Sequence, residues 1–367
     1  MLPWTKYSAR RKPQRLFRAD RAAFAAFLSA FTLLVWVEME YRLARKSYRL
    51  PMRHALRTAH GSWSKREGIL VRLESPSGVT GFGEAAPIPW FGTETLAEAD
   101  ARLAGLGDRP AADLLQAVPA RFGCVRFALA CALAPVTMPP GRRPVTALLP
   151  AGRAAIEMLP DRLADGFLSF KWKVGVEAPA DEMAMLDDLL AALPAYARLR
   201  VDANGAWDRR TAARWLDRGA GRPVEFFEQP LSPEDVDGLL GLAADYPVTL
   251  ALDESVATLA AAREWQERGW RGIFVIKPAL AGPPDEITEW VARSGADVVI
   301  SSSIETAVGR TALVRLACDE KVTRRAAGLG VGPIFVDEGW NGPAMAPLLD
   351  ATWINAVSPE ALWNALS

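Results

Sequence analysis

Lysine and acid side chains recur along the middle of this chain at a nearly constant interval: Lys173, Asp202, Glu228, Asp253 and Lys277 stand 29, 26, 25 and 24 residues apart. Each ends a short apolar run, as Glu228 follows Phe226 and Phe227 and Lys277 follows Val275 and Ile276. Taken singly, each has a plain explanation: an Asp after a strand caps the next helix, and Lys277 before Pro278 begins a loop. Taken together, in the order lysine, acid, acid, acid, lysine, they call for a shared cause. Three carboxylates gathered in a partly dry cavity repel one another unless a cation sits among them. All-oxygen ligation by Asp202, Glu228 and Asp253 favours a hard ion, Mg²⁺ first and Mn²⁺ second. An amine near such an ion and near a second ammonium gives up its proton more readily, so one of the two lysines suits the role of general base. Metal and lysine together are the equipment for taking a proton from the carbon next to a carboxylate.

These residues need a scaffold that returns to one place once per interval. Apolar strand-like stretches occur at 144–149, 168–174, 199–201, 224–227, 248–252, 272–276, 298–300 and 326–329, with amphipathic helical stretches such as 181–193 and 257–268 between them. Eight strands alternating with helices predict an α/β fold, a parallel (β/α)₈ barrel, whose βα unit takes roughly 25–30 residues. Such barrels carry their chemistry at the C-terminal ends of the strands, so the five charges converge on one mouth. Lys171, two positions before Lys173, lies on the same side of its strand. The stretch before the barrel reads differently: strands at 68–74 and 79–84 joined by a turn at 75–78, then helices at 94–106 and 119–133. The expected organisation is an N-terminal extension (1–38), an α+β capping domain (39–140), a catalytic barrel (141–345) and a tail (346–367) packing on the cap.

Composition narrows the function further. Lys plus Arg equals Asp plus Glu at 43 each, which argues against a nucleic-acid binder. The only histidines, His54 and His60, precede the barrel, so a histidine base, a triad or a multi-histidine zinc site within it is excluded. Cys124, Cys131 and Cys318 form no metal or redox pattern and suit a reducing, cytoplasmic compartment. Residues 1–21 carry seven basic side chains and one acidic one, and 22–37 carry no charge. At about 1.5 Å per residue that apolar run is short for a bilayer span, and no small-x-small cleavage site follows it. An early start codon upstream of Met39, a membrane-surface anchor and an uncleaved signal compete. Membrane contact is therefore expected only if 1–38 are a genuine part of the mature chain. The oligomeric state is left open.

At the charged strand ends the sequence resembles the enolase superfamily, in its muconate-lactonising subgroup. Lys171-Trp172-Lys173 matches that subgroup's K-x-K, and DANGAW (202–207), FFEQPL (226–231), LDES (252–255) and VIKPA (275–279) match the strands that follow. The resemblance implies an enolase-like barrel with a cap, and Lys or His bases acting with Mg²⁺ are described for the superfamily. It implies that Lys173 is the general base and later the acid, that Lys277 faces the other side of a small-molecule carboxylate substrate, and that Lys171 assists Lys173. It also places Asn204 and Glu254 behind the metal ligands. In the cap, GFGEAAPIPWFGTET (81–95) and LRTAHGSW (56–63) resemble succinylbenzoate synthases, which makes His60 and Trp90 candidates for substrate contact. Ser301, Ser302 and Ser303 end the seventh strand, where relatives bind the substrate's carboxylates; capping of the next helix is an equal reading. The implied reaction is a lyase dehydration forming o-succinylbenzoate in menaquinone synthesis. N-acylamino-acid racemisation or dipeptide epimerisation is the alternative, although Gly328-Leu329-Gly330 stands where dipeptide epimerases carry Asp-x-Asp. A non-catalytic, membrane-tethered barrel is the remote third reading.

Overall fold

The computed structural model describes residues 40–58, 61–134 and 141–366. Expectations for residues 1–38 and for His60 lie outside the described residues. Among the described residues, no helix is long and apolar enough to cross a membrane. Glu40–Ser367 form one compact unit.

The unit opens on an antiparallel hairpin of β1 (Arg42–Thr58) and β2 (Gly61–Glu74), to which β3 (Thr80–Ala85) adds on the β2 side. Alternation along β2 decides what covers each face. Ile69, Val71 and Leu73 point into a cluster with Leu103, Val125 and Leu129 of the helices Leu96–Ala104 and Gly123–Leu133. Leu70 points the other way, toward Tyr48, Phe335 and Trp363. Both faces are buried, so Ile69-Leu70-Val71 reads as a continuous apolar run rather than an alternating one. The helix Gly123–Leu133 packs backbone to backbone on β3: a Cβ at Gly81 or Gly83 would stand 2.0 Å from the Ala132 carbonyl oxygen or 1.9 Å from that of Ala128. Only glycine allows that approach.

The barrel strands are β4 (Arg143–Leu149), β5 (Ser169–Lys173), β6 (Arg198–Asp202), β7 (Val224–Glu228), β8 (Leu250–Leu252), β9 (Ile273–Ile276), β10 (Val298–Ile300) and β11 (Ala327–Gly330). They are neighbours in the order β10-β9-β8-β7-β6-β5-β4-β11, and a parallel bridge between Ser301 and Gly328 joins the two ends into a ring. Every barrel strand expected from the sequence is present, with no bound displaced by more than two residues. Inside the ring sit Phe226, Ala251, Ile273, Val275 and Val299. The alternate residues, such as Leu199, Val201, Phe227 and Leu252, pack outward against the helices. Near the N-terminal end of the ring, buried Arg200 donates to Glu225 at 2.7 Å and to the Ala326 carbonyl at 3.0 Å, and Arg325 joins Glu225 at 2.7 Å. After the barrel, β12 (Leu348–Leu349) pairs antiparallel with β4. The last helix, Pro359–Ala365, reaches the three-stranded sheet, where Lys46 donates to the carbonyls of Trp363 and Leu366 at 3.2 and 2.5 Å.

Candidate active site

Parallel register is what assembles the site. It sets Lys173 opposite Asp202 and Asp202 opposite Glu228, so three charged residues form one cross-strand rung at the C-terminal ends of β5, β6 and β7. Asp253 and Lys277 follow directly on the ends of β8 and β9. Trp172, between the two lysines of β5, points outward to Trp215, which leaves Lys171 and Lys173 on the barrel's inner side.

The charges at the mouth are tightly coupled. Lys171 Nζ lies 2.6 Å from Glu228 Oε1 and 2.8 Å from Asp202 Oδ2. Lys277, 9% exposed, pairs through Nζ with Asp253. Burial works against both ammoniums, but the surrounding carboxylates outweigh it, so Lys171 and Lys277 are held protonated above the usual lysine range. Burial also pushes Glu228 up, reinforced by Asp202, to about 8. Asp202 is held below the usual carboxylate range because Lys171 and Lys173 outweigh its burial. Lys173 is exposed at the rim, and among the described residues no hydrogen bond or ion pair engages it.

Among the described residues, no three acids, histidines or cysteines are gathered closely enough to hold an ion as the side chains stand. The donor chemistry nevertheless fits a hard divalent cation: Asp202, Glu228 and Asp253 offer only oxygen, and all three are buried. Asp202 Oδ2 has Lys171 within ion-pair range but carries no hydrogen bond, and Glu254 Oε2 carries none either. The ammoniums of Lys171 and Lys277 are the cations that face these carboxylates here.

The residues after the acids fix them. Asn204 and Gln229 take left-handed conformations, φ 46° and 38°, which turn the chain sharply behind Asp202 and Glu228. The Asn204 amide donates to Asp202 Oδ1 at 3.1 Å and its side chain to Glu254 at 3.0 Å. Burial, with Asp253 and Asp202 adding to it, raises Glu254 to about 7. Fully buried Gln229 accepts from the Asp253 and Ser255 amides at 3.0 and 3.2 Å and donates to Ser255 Oγ at 2.8 Å. It thereby locks the turn that presents Asp253. Sequence reasoning passed over Gln229, although its place beside Glu228 in FFEQPL was the available signal.

Ser301, Ser302 and Ser303 lie in the loop after β10, all at least nine-tenths buried. They do not cap the next helix: Thr306 does, accepting from the Val308 amide. Ser302 Oγ instead donates to Glu305 at 2.9 Å, and the Ser303 amide donates to the same carboxylate at 2.8 Å. From the cap, Trp90 is 37% exposed in the turn Pro89–Phe91 and meets Trp63 edge-on at 5.1 Å. The neighbouring Phe91, not singled out from sequence, places its ring 5.0 Å from Lys277 Nζ. The cap turn therefore touches the mouth through an aromatic face on an ammonium.

Residues 154–323 match the family model described as enolase C-terminal domain-like, and residues 41–136 match the one described as MenC, N-terminal domain. An o-succinylbenzoate synthase of Thermosynechococcus vestitus is 40% identical over 328 residues, covering 87% of this chain and 97% of the relative. The crystal structure of o-succinylbenzoate synthase from Thermosynechococcus elongatus, complexed with Mg in the active site, superposes with a TM-score of 0.77 at 38% identity, covering 89% of this chain and 100% of that one. The Bacillus subtilis L-Ala-D/L-Glu epimerase, at 20% identity and a TM-score of 0.72 over 84% of this chain and 95% of its own, shares the fold alone. With both segments matched and nearly the full length of the relative aligned, this chain belongs to the o-succinylbenzoate synthase family of the enolase superfamily.

Proposed function

We propose that the mouth of this barrel dehydrates 2-succinyl-6-hydroxy-2,4-cyclohexadiene-1-carboxylate to o-succinylbenzoate, the reaction for which its relatives are named and a step of menaquinone synthesis. The observation that carries the reading is the cross-strand rung: an exposed lysine, Lys173, beside two buried acids, Asp202 and Glu228. Lys173, as the free amine, removes the proton α to the ring carboxylate. It then protonates the departing hydroxyl on the same face, so one C–H and one C–O bond break, water leaves, and the ring becomes aromatic. Lys277, against the face of Phe91, keeps a positive charge on the other side of the ring. Asp202, Glu228 and Asp253 would hold Mg²⁺, with Mn²⁺ sharing the same donor preference, in place of the ammoniums they now face. That ion supplies the charge that makes the α-proton of a bound carboxylate acidic. Ser301, Ser302 and Ser303 meet the substrate's carboxylates, and Trp90 covers the mouth from the cap. The sparse, unpaired cysteines Cys124, Cys131 and Cys318 support a cytoplasmic site of action.

A spectrophotometric assay with Mg²⁺ tests this directly, run on the cyclohexadiene substrate and, in parallel, on N-succinyl amino acids and dipeptides. Rapid formation of o-succinylbenzoate is expected. Racemisation or epimerisation without dehydration would replace the proposal with the isomerase reading.

A further inference from the structure

A buried guanidinium in the cap bridges to the barrel. Arg66, on β2, is 1% exposed, and among the described residues no carboxylate is its hydrogen-bond partner. Its donors go to backbone carbonyls on both sides of the seam between the three-stranded sheet and the barrel. On the cap side it donates to Glu67 at 3.1 Å, to Pro87 at 3.0 Å and to Ala86. On the barrel side Nε donates to the Ile304 carbonyl at 3.0 Å and Nη2 reaches that of Ser303 at 3.5 Å. Five donors in a fixed plane are what such a junction uses, and an ammonium cannot reproduce them. The Trp63 ring lies 5.3 Å from the guanidinium and carries Trp90 on its edge, so the same side chain supports the cap turn over the mouth.

The barrel carbonyls it holds belong to a strained loop. Ile304 has φ 65°, a conformation a β-branched residue rarely adopts. Ser302 Oγ accepts from the Ile304 amide at 3.0 Å, and Glu305, paired with Arg310 at 3.0 Å, accepts from Ser302 and Ser303. Glu305 orders the loop from within the barrel, and Arg66 ties it to the cap.

We propose that Arg66 is a positioning residue for the reaction, clasping the 301–304 loop to residues 86 and 87 of the cap so that the loop's serines meet the substrate's carboxylates in one fixed geometry. The inference rests on the reading of those serines given above. Its test compares Arg66→Lys, which keeps the charge, with Tyr48→Phe. Tyr48 also stands at the seam, donating at 2.5 Å to Glu84 of β3, which crosses it to accept from the Thr306 and Gly309 amides rather than from the serine loop.

Steady-state kinetics of Arg66→Lys are expected to show KM raised about tenfold or more with kcat changed less than about threefold, whereas Tyr48→Phe stays within about twofold on both. Hydrogen exchange of the 301–305 amides is expected to quicken about tenfold in Arg66→Lys and not in Tyr48→Phe. A KM and exchange rate unchanged in Arg66→Lys, or matched by Tyr48→Phe, overturn the proposal. Should Arg66→Lys not fold, Ile304→Gly, which relaxes the strained residue and leaves Arg66 in place, decides by the same KM and exchange readings. If the unaltered enzyme does not dehydrate the substrate, the functional reading fails and the exchange comparison alone decides the clasp.

Discussion

At the residue scale, the division of labour between two lysines on one strand is the feature with most chemical consequence. Lys171 is spent on Asp202 and Glu228, while Lys173 stands exposed beside them, in no hydrogen bond or ion pair among the described residues. Replacing Lys173 with Ala is expected to lower kcat by about 10³-fold or more while Mg²⁺ binding, read by calorimetry, stays within about threefold. Retained turnover would move the base elsewhere. Gln229 belongs to the same scale, because a single amide fixes both the Asp253 and the Ser255 turn. Gln229→Ala is expected to weaken metal affinity or kcat/KM by about 10–100-fold, the usual cost of removing a group that orients a ligand. An unchanged metal titration and unchanged kcat/KM would show that Asp253 holds its place unaided.

At the scale of elements, the barrel was legible because its eight strands are short apolar runs spaced by helices, and five consecutive ones, β5 to β9, carry a charged residue at the C-terminal end. The register that makes a rung of Lys173, Asp202 and Glu228 follows from parallel pairing and needs no further information. The cap was less legible. Its hairpin runs well past the apolar stretch at 68–74, since polar residues of β2 such as Ser62 and Lys65 are recruited by pairing with Arg57 and Pro51 rather than by burial. Phe91 and Arg66 were invisible for a related reason: each acts through tertiary contact across the seam, and neither spacing nor periodicity encodes that. The serine loop was half legible, because the true helix cap, Thr306, lies only three residues beyond Ser303. Gly83 is the element-scale test. A methyl group there meets the Ala128 backbone at 1.9 Å, so Gly83→Ala is expected to destabilise the fold by about 1–3 kcal/mol, read as a lower urea midpoint. A wild-type midpoint would mean the helix Gly123–Leu133 can retreat from β3 at no cost.

At the scale of the whole molecule, two ends of one barrel are built on opposite principles. The floor satisfies its charges internally: Glu225 is flanked by Arg200 and Arg325, and although burial opposes it, the two guanidiniums hold its carboxyl below the usual range. A depressed carboxyl stabilises the fold above its unfolded value of about 4.3, and that contribution is lost as pH falls through the lower folded value. Glu225→Gln is therefore expected to cost about 3 kcal/mol at pH 7, with the gap to wild type narrowing below about pH 4 in denaturant titrations. A gap independent of pH would remove the ion pair as its cause. The mouth does the reverse, gathering acids that only cations make tolerable. Glu40–Ser367 are compact by themselves, so a chain starting at Met39 is expected to fold and turn over as the full one does; loss of folding would assign residues 1–38 to the core. The most direct test of the central claim is the metal stoichiometry of the purified enzyme, titrated with Mn²⁺ by electron paramagnetic resonance alongside Asp202→Asn, Glu228→Gln and Asp253→Asn. One ion per chain is expected, weakened by each substitution and displaced by Mg²⁺. An enzyme that binds no ion, or that binds it equally well without one of the three carboxylates, would contradict the account.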